Sequence, residues 1–97
     1  DMTIEEIVKK VSEISSIPEK EIVGKSRKME IAQARQVSMF LSREILGKSL
    51  SGIGMYFGGR DHTTVMHAIK TISEKVDTND VISNTVSKLR ADLNQSF

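Results

Sequence analysis

A run of polar side chains follows two glycines in the middle of the chain, in the segment Gly58-Gly59-Arg60-Asp61-His62-Thr63-Thr64. Its carboxylate, imidazole and hydroxyl groups can all take part in hydrogen bonds. Nothing around them resembles the Gly-x-Ser-x-Gly nucleophile elbow of a hydrolase. His62 and His67 are five residues apart, which is poor spacing for two metal ligands on one helical face, and the chain has no cysteine. The segment therefore favours recognition by hydrogen bonding over catalysis or metal binding.

Length and composition point to one small globular domain. The chain has 97 residues, of which 38% are hydrophobic and 28% are charged, a balance typical of a folded, soluble protein. The lack of cysteine excludes disulfides and thiolate zinc sites and is compatible with a reducing cytoplasm. No apolar run approaches the roughly 20 residues of a membrane span. Because residue 1 is Asp rather than an initiator Met, we expect a fragment of a longer cytoplasmic protein.

The spacing of apolar residues predicts an all-α fold with about six helices. The first begins with the capping box Thr3-Ile4-Glu5-Glu6, in which two side chains satisfy free backbone N–H groups. The single proline, Pro18, suits a first helical turn, and glycines fall at the breaks. The predicted helices run from about Thr3 to Ile14, Pro18 to Gly24, Glu30 to Leu46, Ser49 to Phe57, Asp61 to Val76 and Asp80 to Gln95.

Three helices show which of their faces should meet the core. The third is apolar over much of its circumference, which predicts a central, buried helix. On the fifth, four apolar residues recur at helical spacing and point inward: Val65, Ile69, Ile72 and Val76. Its separate polar face comprises Thr63, His67, Lys70 and Glu74. The apolar side predicted for the sixth comprises Val81, Ile82, Thr85, Val86, Leu89 and Leu93.

The small net charge conceals an uneven distribution of charge along the chain. The net charge is −3 for residues 1–24, +4 for 25–48, +1 for 49–75 and −1 for 76–97. A basic middle between acidic ends suggests a polyanionic partner. A solvated basic surface would give the same pattern, and charge alone favours that simpler interpretation.

The fourth and fifth predicted helices, joined by a short glycine turn, have the arrangement of a helix-turn-helix, whose second helix enters the major groove of DNA. The first residues of that helix would then reach base edges. Asp61 can accept from cytosine N4, His62 can donate to purine N7 or O6, and a Thr methyl can pack against the thymine methyl. Thr64 and the free helix N–H groups suit a phosphate. In a simpler interpretation, Asp61 is an N-cap and both threonines are ordinary first-turn residues.

The segment Gly58–Ala68 closely resembles the signature of the C-terminal DNA-binding domain in the DnaA family of bacterial chromosomal replication initiators. Upstream, Ile31-Ala32, Ala34-Arg35-Gln36, Ser49-Leu50 and Ile53-Gly54 match as well, so the resemblance covers nearly the whole chain. It implies a compact all-helical domain with a Trp-repressor-like helix-turn-helix. Such a domain is not an enzyme; it binds DnaA boxes at the replication origin and in some promoters.

The resemblance also implies roles for individual residues. In the family, the Asp, the His and the first Thr of the signature contact bases in the major groove, as Asp61, His62 and Thr63 would here. The Arg of the central helix enters the minor groove, which would be the role of Arg35. No metal site is implied. The residues expected to contact the DNA backbone are Lys25, Arg27, Lys28, Gln36, Leu50, Ser51, Arg60, Thr64, His67 and Lys70.

The chain departs from the family pattern at two places. Many relatives have Arg-Pro-Arg-Gln where this chain has Gln33-Ala34-Arg35-Gln36, which removes one expected phosphate contact. Many also have Pro where this chain has Ser51, so a contact to a thymine methyl is lost or altered. The preference of this chain at that base is therefore expected to differ.

The ATPase of the family is expected outside these residues, because they contain no Gly-x-x-x-x-Gly-Lys-Ser/Thr phosphate loop. We expect residues 1–97 to be a single helix-turn-helix domain without a cofactor of its own, from an initiator that binds ATP and Mg²⁺ elsewhere. The other expected partners of that longer, nucleoid-associated protein are further protomers, regulatory proteins and acidic phospholipid.

Two other functions stay open from the sequence alone. A protein-interaction module could dock a regulator on the polar face of residues 63–74, and the basic segment could hold an anionic lipid. The first-turn residues of the fifth helix would then have no evident purpose. An enzyme would require turnover by these 97 residues alone, for which no motif is present.

Overall fold

The computed structural model describes residues 2–95, which form six α-helices. Their bounds are α1 Ile4–Ser15, α2 Glu19–Val23, α3 Met29–Leu46, α4 Leu50–Tyr56, α5 His62–Thr78 and α6 Asp80–Gln95. No strand occurs within this range. The all-α prediction is confirmed, and every predicted helix is present with its ends displaced by no more than two residues.

Local capping explains most of the helix boundaries. Gly47 ends α3 in the left-handed region, with a φ of 63°. The predicted break over residues 77–80 is shorter in the structure, because α5 continues through Thr78 and Asn79 alone separates it from α6. Three N-caps accept a hydrogen bond from the backbone N–H three residues ahead: Thr3, Ser49 and Asp61, at 3.3, 3.0 and 2.8 Å.

Helix α3 occupies the centre of the molecule and packs against α1, α2, α4 and α5. The inward faces predicted for α1, α3 and α5 are buried or half-buried. On α6 the prediction for Val81 is wrong, since its side chain is 73% exposed. Four other residues of α6, spaced by four, three and four positions, take the inward face: Ile82, Val86, Leu89 and Leu93.

Helices α4 and α5 approach each other closely at the turn that joins them. The Gly54 carbonyl accepts from the N–H groups of Gly59 and Arg60, at 3.0 and 2.9 Å. A Cβ atom at Gly54 would lie 2.0 Å from the Arg60 carbonyl oxygen. Gly58 and Gly59 have φ values of 84° and 77°, a region that favours glycine. The start of α5 is therefore set by a turn that tolerates no side chain at position 54.

We expect Gly54→Ala to lower the free energy of unfolding by about 2–3 kcal/mol, because the methyl group would force α4 away from the turn. Urea unfolding followed by circular dichroism measures this loss. Gly52→Ala is the matched control on α4, since its Cβ would meet only the movable Ser49 hydroxyl, at 3.0 Å. The control should change the stability by less than about 1 kcal/mol. Equal losses in the two variants would contradict the close approach at Gly54.

Candidate nucleic-acid interface

The first turn of α5 presents a carboxylate, an imidazole and a hydroxyl to solvent, because Asp61, His62 and Thr63 are all exposed. Asp61 also caps the helix by accepting from the Thr64 N–H at 2.8 Å. Hydrogen bonds from the Thr64 backbone and side chain lower the pKa of Asp61, which favours the ionised carboxylate at neutral pH. Asp61 can therefore cap α5 and still present a hydrogen-bond acceptor to solvent.

The outward side of α5 continues beyond this first turn. The predicted polar face is confirmed, since Thr63, His67, Lys70 and Glu74 are exposed. The same helix also exposes one large apolar side chain, Met66, at 50%. No pattern in the sequence predicts a role for this methionine.

A groove between α3 and α5 brings together four of the residues predicted to contact the DNA backbone. It is lined by Gln36 from α3, by Thr64 and His67 from α5, and by Arg60 from the turn before α5. The amide, the hydroxyl and the imidazole can each donate to a phosphate oxygen. These groups come from distant parts of the sequence, so packing of α5 on α3 creates the groove.

The loop between α2 and α3 carries three exposed cations, Lys25, Arg27 and Lys28. Lys25 and Arg27 line one cleft together with Gly58 and Gly59 of the turn before α5. The most basic part of the chain therefore lies beside the start of α5, where the exposed first-turn residues are.

The two predicted backbone-contacting residues on α4 differ in their surroundings. Ser51 is exposed near the start of the helix. Leu50 is half-buried and packs against the hydrophobic core. The first turn of α4 thus combines an outward hydroxyl with an apolar side chain that anchors the helix.

Arg35, predicted to enter the minor groove, binds backbone carbonyls of its own chain in this structure. The residue is only 6% exposed. Burial, and then the nearby Arg60 cation, lower the pKa of its guanidinium. The guanidinium donates to three backbone carbonyls: those of Ile22, Ser26 and Glu21, at 2.7, 3.0 and 3.1 Å.

Arg60, predicted to contact the DNA backbone, is engaged inside the protein as well. Its guanidinium donates to the Gly24 carbonyl at 2.9 Å and to the carbonyl of Phe57. Arg35 and Arg60 therefore both bind carbonyls of α2 and of the connection that follows it. Together they hold the basic loop against the turn that precedes α5.

The sequence does carry a signal for the burial of Arg35. Arg35, Ser38 and Ser42 are spaced by three and four residues, so they share one face of α3, and all three are buried. The two serine hydroxyls donate to carbonyls of their own helix, at 2.8 and 2.7 Å. A helix predicted to be buried around most of its circumference leaves little exposed surface for an arginine at its middle.

Within residues 2–95, no group of three or more His, Cys, Asp or Glu side chains lies close enough together to hold a metal ion. None of the helices in the described part of the chain is long and apolar enough to cross a membrane. Every buried side-chain nitrogen or oxygen in that part has a hydrogen-bond partner. The polar groups without internal roles therefore lie at the surface.

Comparison with known proteins identifies a family for most of the chain. Residues 4–72 match the family model of the bacterial dnaA protein helix-turn-helix. Proteins named chromosomal replication initiator protein DnaA are similar over nearly all of the chain, with 43% identity in Chlorobaculum tepidum, 45% in Ruegeria pomeroyi strain DSS-3 and 41% in Limosilactobacillus reuteri. These alignments cover 92%, 92% and 96% of this chain but only 18%, 19% and 21% of the relatives. The chain thus spans about a fifth of their length.

A solved structure is also similar to this one, a crystal structure of a DNA replication initiation factor. The superposition has a TM-score of 0.81 at 28% sequence identity and covers 92% of this chain and 27% of the other. The family match includes α4, the turn and most of α5. The resemblance noted from Gly58–Ala68 is confirmed by these comparisons, and the matched family is a non-catalytic domain.

We expect Arg35→Ala to lower the free energy of unfolding by about 3 kcal/mol, because it removes a charged donor from three carbonyls, one of which, that of Glu21, keeps the Gly24 N–H. Arg35→Lys should recover only part of this loss, since a single ammonium group lacks the planar fork of a guanidinium. Chemical unfolding monitored by circular dichroism measures both effects.

The matched control is Arg27→Ala, which removes the same side chain from an exposed position in the loop. Its effect on stability should stay within about 0.5 kcal/mol. If both alanine variants unfold at the same urea concentration, the interior role of Arg35 is wrong.

Proposed function

The chain belongs to the bacterial DnaA helix-turn-helix family, and from this premise we propose that it binds double-stranded DNA sequence-specifically, at DnaA boxes. The observation that carries the proposal is the juxtaposition of the exposed first turn of α5 with the basic loop at residues 25–28. One surface thereby offers hydrogen-bonding groups for base edges and cations for phosphates, the two kinds of contact that specific DNA binding needs.

In this proposal α5 is the recognition helix and enters the major groove with its first turn. The Asp61 carboxylate accepts from cytosine N4, and the His62 imidazole donates to a purine. Thr63 contributes its hydroxyl and its methyl group. Because Asp61 is already held by the Thr64 N–H, its carboxylate meets the base without first losing side-chain freedom.

Phosphate contacts on both sides of the helix would fix its register in the groove. The donors of the α3–α5 groove, Gln36, Thr64 and His67, suit one strand, and Lys70 extends the same side of α5. At the other edge, Lys25 and Lys28 of the loop and Ser51 at the start of α4 are exposed. Leu50 and Arg60 would act mainly by holding α4 and the loop in place.

We assign the minor-groove contact to Arg27 instead of Arg35. A narrow minor groove attracts a guanidinium that is free to enter it. Arg27 is exposed in the loop, whereas Arg35 is buried beneath that loop and holds its backbone. The two arginines thus have complementary roles, with Arg35 positioning the segment that carries Arg27.

On this proposal the chain anchors a longer replication initiator at the origin and at some promoters. ATP and Mg²⁺ would bind to another part of that protein, as would further protomers. The competing proposal, a module that docks a regulatory protein through α5, shares the same exposed residues. A titration with a box duplex and a scrambled duplex separates them, because a protein-docking module has no reason to prefer the box.

We expect Thr63→Ala to weaken binding to a box duplex by about 1–3 kcal/mol, and to weaken binding to scrambled DNA much less. The reason is that Thr63 touches a base, whereas nonspecific binding depends on phosphates. Fluorescence anisotropy at near-physiological salt measures both affinities. Ser73→Ala is the matched control, an exposed hydroxyl farther along α5. Equal losses on the two duplexes would reject base contact by Thr63.

Lys25→Ala should weaken binding to box and scrambled DNA alike and make the slope of log affinity against log salt shallower by about one unit. This is the result for a cation that contacts only phosphate.

Arg27→Ala should weaken binding in the same way and in addition reduce the preference for the box, since a minor-groove arginine responds to groove width. Salt titrations of both variants test the pair, and an unchanged preference in Arg27→Ala would refute the reassignment.

A further inference from the structure

Met66 is an apolar side chain on the helix face where the proposed function needs contacts with bases. It is 50% exposed. The other large hydrophobic side chains exposed to this degree within the described residues are Met29, Met55 and Val81, on α3, α4 and α6. Met66 is therefore the apolar group that α5 itself offers to a partner.

The position of Met66 follows from helix geometry. It lies four residues after His62 and three after Thr63, so these three side chains are neighbours on one side of α5. The buried side of the helix is occupied by Val65, Ala68 and Ile72. One helical turn advances about 5.4 Å and one base-pair step about 3.4 Å. With α5 in the major groove, Met66 would therefore face the base pairs immediately beyond those that the first turn reaches.

The chemistry of the side chain restricts what it can recognise there. A thioether is at best a weak hydrogen-bond acceptor, so Met66 offers mainly an apolar and polarizable surface. Among the four bases, the major groove presents one apolar group, the C5-methyl of thymine. An unbranched methionine can adapt its rotamers to pack against a methyl group.

We propose that Met66 packs against the C5-methyl group of a thymine and is a specificity-determining residue of this chain. The proposal rests on the proposed function, with α5 in the major groove. Met66 is surrounded on α5 by exposed polar residues, His62, Thr63 and Lys70. A lone apolar side chain in such surroundings is too small a patch for docking a protein. It is large enough to pack against a single methyl group.

Replacing individual thymines with deoxyuridine tests the proposal, because it removes only the C5-methyl group. The wild-type chain is first used to select its preferred duplex from a random pool. Each thymine of that duplex is then replaced in turn, and the dissociation constants of wild type and Met66→Ala are measured. At one thymine or more, the wild type should lose about fourfold in affinity. Met66→Ala should bind the parent duplex more weakly and lose nothing further at the same thymine.

Two further variants make the outcome specific to the methyl contact. Met66→Leu should keep part of the sensitivity to deoxyuridine, because it retains an apolar side chain. Met55→Ala removes an exposed methionine from α4 rather than from α5 and should keep the wild-type profile. Thermal unfolding confirms that the variants are folded, as expected for alanine at an exposed helical position.

The outcomes separate this inference from the proposed function. Identical deoxyuridine profiles for wild type and Met66→Ala, on a duplex that the chain does prefer, overturn the role of Met66 alone. A chain that selects no duplex at all overturns the proposed function and, with it, this inference.

Discussion

Two guanidinium groups hold the connection between α2 and α3, and the position of the exposed cations depends on them. Helix α2 has only five residues, so the backbone supplies few donors to its last carbonyls, and the Gly24 N–H reaches that of Glu21. Arg35 donates to the carbonyls of Glu21 and Ile22, and also to that of Ser26. Arg60 donates to the Gly24 carbonyl. Cations at the C-terminal end of a helix are also favoured by its dipole.

This arrangement brings two like charges close together in a partly buried place. Burial lowers the pKa of the Arg35 guanidinium, and repulsion from Arg60 lowers it further. Hydrogen bonds to backbone carbonyls offset the repulsion between the two guanidinium groups, because a hydrogen bond from a charged donor is stronger than one from a neutral donor. Both arginines also line the cleft that contains Lys25 and Arg27. Their charge therefore adds to the positive potential of the surface that would face DNA, although neither needs to contact it.

The turn between α4 and α5 also lines this cleft and determines where α5 begins. Gly54 lets the two helices meet closely, and its carbonyl accepts from the N–H groups of Gly59 and Arg60. Asp61 then starts α5 as an N-cap while remaining exposed. Asp61 thus combines the capping of α5 with the base contact proposed for it.

Local patterns in the sequence were sufficient for the helices and for the exposed turn of α5. Capping residues and apolar spacing act over three or four positions, so they predict boundaries such as Ser49 and Asp61 without knowledge of the fold. The same patterns could not predict that Val81 lies outside the core or that Met66 is free on the surface. Those outcomes depend on which neighbouring helix covers each position.

Contacts between distant parts of the chain determine whether Arg35 and Arg60 point inward or outward. The carbonyls that Arg35 binds lie nine to fourteen residues away, and the Gly24 carbonyl lies 36 residues from Arg60. A sequence pattern shows that an arginine is charged, which makes an external polyanion its obvious partner. Whether it turns outward or inward depends on unpaired carbonyls that only the packing of α2 and the turn against α3 brings within its reach.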